Sequence, residues 1–544
     1  MRTKTLEATV GDTTAEDLPM SLGENSLDPR MAARVATREF RGGVRLSDRA
    51  AQRVDRSADL RRELVEAGQP LYGVTTGFGD SARRVVSSDK AAELQRGLAE
   101  YHLAGVGPPT PSEVVRATML IRANCLAKGS SGVRRGLVEL MLSCLADDLV
   151  PVVPQRGSVG ASGDLTPLCY IANALMGRGE VEVGGERRPA ADALRECGST
   201  PWEPEPKEVL ALINGTSFST GFAVVALERA ARLADAAEVC TAMACEALDA
   251  DRSHYDPVIH EHKPHPGQRA SAAAVLSLLE GSGLAEDHPA SLGDDGQVDG
   301  DYEELDQPIQ EPYSLRCAPQ VIGVLRDTVD WVARWLAVEI NSVDDNPLFD
   351  PDTGKAYSGG NFYAGHVGQA MDSLKVATAS VGDLLDRQVA LLVDEKYNRQ
   401  LTPNLIPRVD DDDPHAGLRH GFKAAQITCS ALAAEALKST VPATVFSRST
   451  ECHNQDKVSM GTIAARDAHT VVELVEGIAA VHLLASCQAL DLRGADRAAP
   501  ATKAVRDIVR DHVPPVEDDR GMEGDVSAVA RLLRTGALAR SGAR

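Results

Sequence analysis

The sequence predicts a mainly α protein, an elongated bundle of long antiparallel helices beside a smaller N-terminal helical and loop region. Three observations carry this. Long stretches place apolar residues at helical spacing, and several are apolar on nearly every side, as core helices are. Capping residues recur where those stretches begin and end. Only residues 180–187 read as a convincing strand-like hairpin.

Residues 1–27 are polar and read as a flexible tail with no apolar signal core. An N-terminal region follows over 28–206. In it Ser47 caps a helix that runs to Gly68, and Thr110-Pro111-Ser112-Glu113 reads as a capping box opening a helix that ends before Gly129. Residues 207–490 are the expected central bundle. Its first member is one long helix from Lys207 to about Asp251, followed by runs over 317–342, 365–396, 421–439 and 457–490. The polar stretches 286–309 and 408–417 interrupt the pattern as loops, and 491–544 forms a C-terminal helical segment. The run Asp410 to Asp413 lacks the spaced ligands and turn glycine of a calcium loop, so it reads as solvated loop.

A surplus of 79 acidic over 57 basic residues argues against nucleic acid and anionic membrane surfaces as partners. No segment reads as an uninterrupted apolar membrane span, and the expected location is the cytoplasm. The ten cysteines form no Cys-x-x-Cys pair. Most, such as Cys125, Cys144, Cys240 and Cys487, lie in apolar helical contexts and read as reduced core thiols, not disulfides or metal ligands.

Two segments use glycine where a helix would not. Leu71 to Gly79 (LYGVTTGFG) is a loop whose glycines allow close backbone turns and whose Tyr72 is a potential proton acceptor. Gly157 to Pro167 (GSVGASGDLTP) crowds small residues around Ser162. In a tight bend there, the Gly163 nitrogen can attack the Ala161 carbonyl, and loss of two waters leaves a methylidene-imidazolone electrophile. The bare tripeptide Ala161-Ser162-Gly163 is weak evidence for this. Its company is stronger: Ala104-Gly105-Val106-Gly107, Lys128 to Arg134 (KGSSGVR), Leu212 to Thr216 (LINGT), Pro312 to Arg316 (PYSLR), Asn341-Ser342 with Asp345-Asn346-Pro347, Gly359 to Phe362 (GGNF), and His453 to Asp456 (HNQD) with Val458 to Gly461 (VSMG).

In this ordered set, spanning roughly residues 70 to 465, the chain resembles the histidine, phenylalanine and tyrosine ammonia-lyase family and its aminomutases. The resemblance implies an ammonia-lyase-like fold and the self-formed ring, with no external cofactor and no metal. It implies that Tyr72 takes the substrate's β-proton, and that Asn214, Gln310 and Tyr313 surround the ring carbonyl. Arg316 would hold the substrate carboxylate in a bidentate pair, helped by Asn361, while Phe362 packs nearby. Homotetramers with active sites shared between subunits are likewise implied.

In this family the pair before Ala-Gly-Val-Gly, here Tyr101-His102, and the residue at Gln455 bear on the substrate ring. Histidine ammonia-lyases carry glutamate at the second place, whereas His102 can hydrogen-bond a phenol. The expected reaction is therefore elimination of ammonia from L-tyrosine to give 4-coumarate. A tyrosine 2,3-aminomutase and a phenylalanine or histidine ammonia-lyase are the alternatives; a non-enzymatic paralogue is disfavoured because every reactive residue is present. Tyr101 and the Tyr363-Ala364 pair depart from the family's commoner residues.

Overall fold

The computed structural model describes residues 18–24, 26–285, 287, 301–302, 309–410 and 412–538. It is mainly helical, with four small two- or three-stranded sheets among the described residues. Packing groups the described residues into two compact units, each assembled from three stretches. The first comprises Met1–Val225, Arg334–Gln369 and Ala443–Ala465; the second comprises Ala226–Ala333, Ala370–Pro442 and Arg466–Arg544. The division falls inside four long helices, so it does not follow the sequential segments 28–206, 207–490 and 491–544. A helix closes its own hydrogen bonds whatever its two halves pack against.

In the first unit Ser47 caps Asp48–Glu66 as expected, its hydroxyl accepting the Ala50 N–H at 3.1 Å. The capping box at Thr110 does not form. That residue's N–H goes to the Val153 carbonyl, continuing the strand Val106–Pro109, and its hydroxyl is buried without a partner. The helix starts one residue later, as Ser112–Leu126. The hairpin is present as Glu180–Val183 with Glu186–Pro189, and Val150–Pro151 adds a third strand. Three more pairs were not expected: Met20–Leu22 with Val44–Leu46, Val106–Pro109 with Pro154–Arg156, and Leu348–Asp350 with Lys355–Tyr357. Each is too short to show a period.

The expected continuous helix from Lys207 is two helices, Glu208–Ile213 and Ser217–Ala247. The break at Asn214-Gly215-Thr216 exists because Gly215 pairs with Gly163 instead of continuing the helical ladder. The run 457–490 begins later than expected, as Gly461–Arg493, because the Ser459 and Met460 N–H groups bond to the Gly160 and Val159 carbonyls.

The second unit contains most of Ser217–Ala247, Ala318–Glu339, Gly365–Val393 and Gly461–Arg493, together with Pro266–Leu278, Lys423–Lys438, Pro500–Arg510 and Glu523–Arg534. Gly461–Arg493 is long and apolar enough to cross a membrane, contrary to the expectation of no such segment; 78% of its apolar window is buried inside the protein, as in a core helix. Most of the 286–309 loop lies outside the described residues. All ten cysteines are free thiols and seven are buried; Cys452 is the exposed one.

Candidate active site

A cavity of about 440 Å³ opens in the first unit, lined by Tyr72, Tyr101, His102, Ala161, Ser162, Asn214, Phe362 and Gln455 among others. Tyr72 arrives on a loop tied by its threonines: the Leu71 N–H donates to Thr75 Oγ1 at 2.8 Å and the Gly73 N–H to Thr76 Oγ1 at 3.0 Å. The Gly79 N–H then donates to the Tyr72 phenolic oxygen at 3.0 Å, fixing that oxygen at the cavity wall.

The Ala161-Ser162-Gly163 segment is held from three sides. Asn214 Nδ2 donates to the Ser162 carbonyl at 2.7 Å, and Gln455 Nε2 donates to Ser162 Oγ at 2.9 Å. Thr450 Oγ1 donates to Gln455 Oε1 at 2.9 Å, which fixes the amide's orientation. Gly163 has φ +70°, and a Cβ there would lie 2.1 Å from the Gly215 carbonyl oxygen, so only glycine fits. Behind it the Asp164 N–H donates to that same Gly215 oxygen at 2.8 Å. The buried Asp164 carboxyl takes Ser158 Oγ at 2.9 Å, the Ser219 N–H at 2.7 Å and the Thr462 hydroxyl; burial still raises it above the usual carboxylate range.

Two buried ion pairs fix the floor. Fully buried Arg122 meets Asp344 and donates to the Asn214 carbonyl at 3.0 Å; Lys207 donates to Asp345 at 2.6 Å, both side chains being inaccessible. Burial pulls the Lys207 ammonium below its ordinary value, and Asp345 opposes that.

His102 closes the helix Ala91–Tyr101, with Nδ1 2.9 Å from the Leu98 carbonyl. Only a protonated Nδ1 makes that contact favourable, which in the neutral ring leaves Nε2 as an acceptor. Burial lowers the His102 pKa, partly offset by the Leu98 bond, and so favours the neutral ring. Tyr101 packs beside it, ring centroids 4.3 Å apart.

The structure does not bring every candidate to this cavity. Gly163 lies behind the wall; Asn361 is exposed and donates to the Val343 carbonyl at 3.0 Å. Gln310, Tyr313 and Arg316 belong to the second unit. There Tyr313 is 71% exposed, and the Arg316 guanidinium lies 4.4 Å from its ring centroid while Nε donates to the Glu311 carbonyl at 3.0 Å. Conversely, the cavity includes residues that sequence reasoning passed over. Glu451 lies on its wall, accepts the Asp80 N–H at 3.0 Å and is raised by burial. Its place two residues before His453-Asn454-Gln455-Asp456 was the available signal. Leu98 and Leu210, one turn before His102 and Asn214 respectively, supply apolar lining.

A family model described as aromatic amino acid lyase matches residues 27–511. The chain is 40% identical over 500 residues to a histidine ammonia-lyase of Gloeobacter violaceus, covering 92% of this chain and 93% of that one. It is 38% identical over 506 residues to the histidine ammonia-lyase of Symbiobacterium thermophilum, covering 93% and 95%. Among solved structures, tyrosine aminomutase from Streptomyces globisporus aligns with a TM-score of 0.89 at 35% identity over 96% of this chain and 98% of that one. A match of this length, on this helical fold, identifies the group: the chain belongs to the aromatic amino acid lyase family and is a carbon–nitrogen lyase.

Proposed function

We propose that the protein eliminates ammonia from an aromatic L-amino acid, with L-tyrosine the preferred substrate and 4-coumarate the product. The observation that carries the choice of tyrosine is His102: Nδ1 is engaged by Leu98, so neutral Nε2 accepts a hydrogen bond from a phenolic hydroxyl. A phenylalanine ring offers no such donor.

The surroundings of Ala161-Ser162-Gly163 fit the self-formed methylidene-imidazolone. The Gly163 nitrogen would bond to the Ala161 carbonyl carbon; one departing water carries that carbonyl's oxygen, the other the Ser162 hydroxyl. The carbonyl that survives is that of Ser162, the oxygen to which Asn214 donates. Once closed, the ring supplies an electrophile that makes the substrate's amino group a leaving group. Tyr72 accepts the β-proton, the C–H electron pair becomes the new double bond, and the Cα–N bond breaks to release ammonia. Arg316 binds the carboxylate through its terminal nitrogens, Nε being committed to Glu311, and Asn361 assists. We assign Gln310, Tyr313 and Arg316 to a site on a neighbouring copy in a cytoplasmic homotetramer, a reading supported by the exposure of Tyr313. No metal or external cofactor is required.

Two observations keep other substrates and outcomes in view. The named histidine ammonia-lyases favour histidine; the likeness to tyrosine aminomutase favours return of ammonia to the β-carbon. Incubation with L-tyrosine, L-phenylalanine and L-histidine, followed by chromatography, separates these. Dominant 4-coumarate supports the proposal; early β-tyrosine or dominant urocanate overturns it.

A further inference from the structure

We propose that Glu339 acts as a neutral carboxylic acid and is a positioning residue, its proton holding Asn214 and Gly215 against the Ala161-Ser162-Gly163 segment through Thr216. This rests on the reading that Asn214 supports the Ser162 carbonyl.

The argument is one of counting hydrogens. The Thr216 hydroxyl owns one, yet its oxygen lies 2.6 Å from Glu339 Oε1 and 2.9 Å from Asp344 Oδ2. Asp344 is already committed as the anion. Its Oδ1 meets the buried Arg122 guanidinium and Cys125 Sγ, the latter at 2.8 Å, while Oδ2 accepts the Thr216 N–H at 2.7 Å. With both carboxyls ionised, one of the two contacts to Thr216 would set oxygen against oxygen with no hydrogen between them. With a proton on Glu339, the chain closes: Glu339 donates to Thr216, Thr216 donates to Asp344, and Asp344 faces Arg122. Each close contact then has its hydrogen.

The surroundings agree with that assignment. Glu339 ends the helix Ala318–Glu339; the charges around it are Asp344 from the following loop, Asp164 from the segment after Gly163, and Arg122 beyond Asp344. Burial, reinforced by Asp344 and Asp164 against the opposing Thr216 bond, pushes the Glu339 carboxyl up to about 7. Thr216 then transmits its position over a short distance. It directly follows Gly215, which pairs with Gly163, and lies two residues from Asn214, whose amide reaches Ser162. Loss of the Glu339 proton leaves Thr216 with one hydrogen for two anions and loosens that strut.

The test is the pH profile of kcat and KM, with intact-protein mass reporting ring formation, for wild type, Glu339→Gln and Glu339→Ala. The glutamine amide can donate to Thr216 at every pH. Glu339→Gln should therefore keep near wild-type kcat at the optimum and extend activity to higher pH. Glu339→Ala should lose about tenfold to a hundredfold in kcat with KM little changed, the signature of misplaced catalytic groups. Thr216→Val should fall as Glu339→Ala does, and Thr216→Ser should not; these two decide the matter if Glu339→Gln does not fold. An alkaline limb in Glu339→Gln that coincides with that of wild type overturns the proposal, as does a fall in kcat equal to that of Glu339→Ala. A wild-type mass without the two-water deficit overturns the ring reading and this one with it; a wild type with the deficit confines any failure to Glu339.

Discussion

Replacing Glu339 by glutamine also has a consequence for stability that can be worked out from the structure. Its carboxyl is raised from 4.5 to about 7 in the folded protein, chiefly by burial. Between those values the native state holds a proton that the unfolded chain has released, so stability falls as pH rises through that window. The loss is about 1.4 kcal/mol for each pH unit and about 3 kcal/mol in total once pH has passed 7. Glutamine cannot ionise and escapes it. The variant should therefore differ from wild type by a roughly constant amount below pH 4.5 and gain about 3 kcal/mol on wild type by about pH 8. Urea midpoints for both proteins across this range, at one protein concentration and with matched slopes, measure the difference. A stability difference that does not change with pH would refute the raised, partly buried carboxyl.

Lys207→Met leaves Asp345 charged and buried without its 2.6 Å partner and should destabilise by about 3 to 5 kcal/mol; Lys207→Met with Asp345→Asn should recover most of this in the same urea assay. His102→Phe should lower kcat/KM for tyrosine and raise it for phenylalanine, swinging their ratio by about a hundredfold; an unchanged ratio removes His102 from substrate selection. Tyr72→Phe should abolish turnover while intact mass still shows the two-water deficit. Co-assembly of Tyr72→Phe chains with Arg316→Ala chains should restore measurable turnover, because some sites then draw both residues from unmutated copies; no recovery counts against sharing between subunits.

Much of the candidate site was legible because its residues lie in short ordered motifs that a linear reading can match. Tyr72, Ser162, Asn214 and Gln455 are far apart in the chain, yet each carries a local signature of glycine or amide around it, and all four line one cavity. Gln455 illustrates the limit of that reading. It was singled out for its bearing on the substrate ring, and the structure places its amide on Ser162 Oγ. Glu451 and Glu339 escaped notice for a different reason. One sits in an irregular turn and the other at the end of a long helix, where a glutamate usually means only a solvated face.

The sequence by itself determined the mainly helical class and most helix extents, because apolar periodicity and end-capping are local properties. It also marked the Ala161-Ser162-Gly163 segment as a candidate through its neighbours in the chain. Tertiary structure alone decided where an otherwise continuous helical run must break. The apolar run after Lys207 satisfies every local rule for one helix, yet it breaks at Gly215 because that backbone is needed against Gly163. The same contact fixes why residue 163 must be glycine, places Asn214 on the Ser162 carbonyl, and gathers Thr216, Asp344 and Glu339 behind it. Such demands come from groups 52 to 128 residues away in the chain, and a protonation state set by their shared hydrogen has no counterpart in any local pattern.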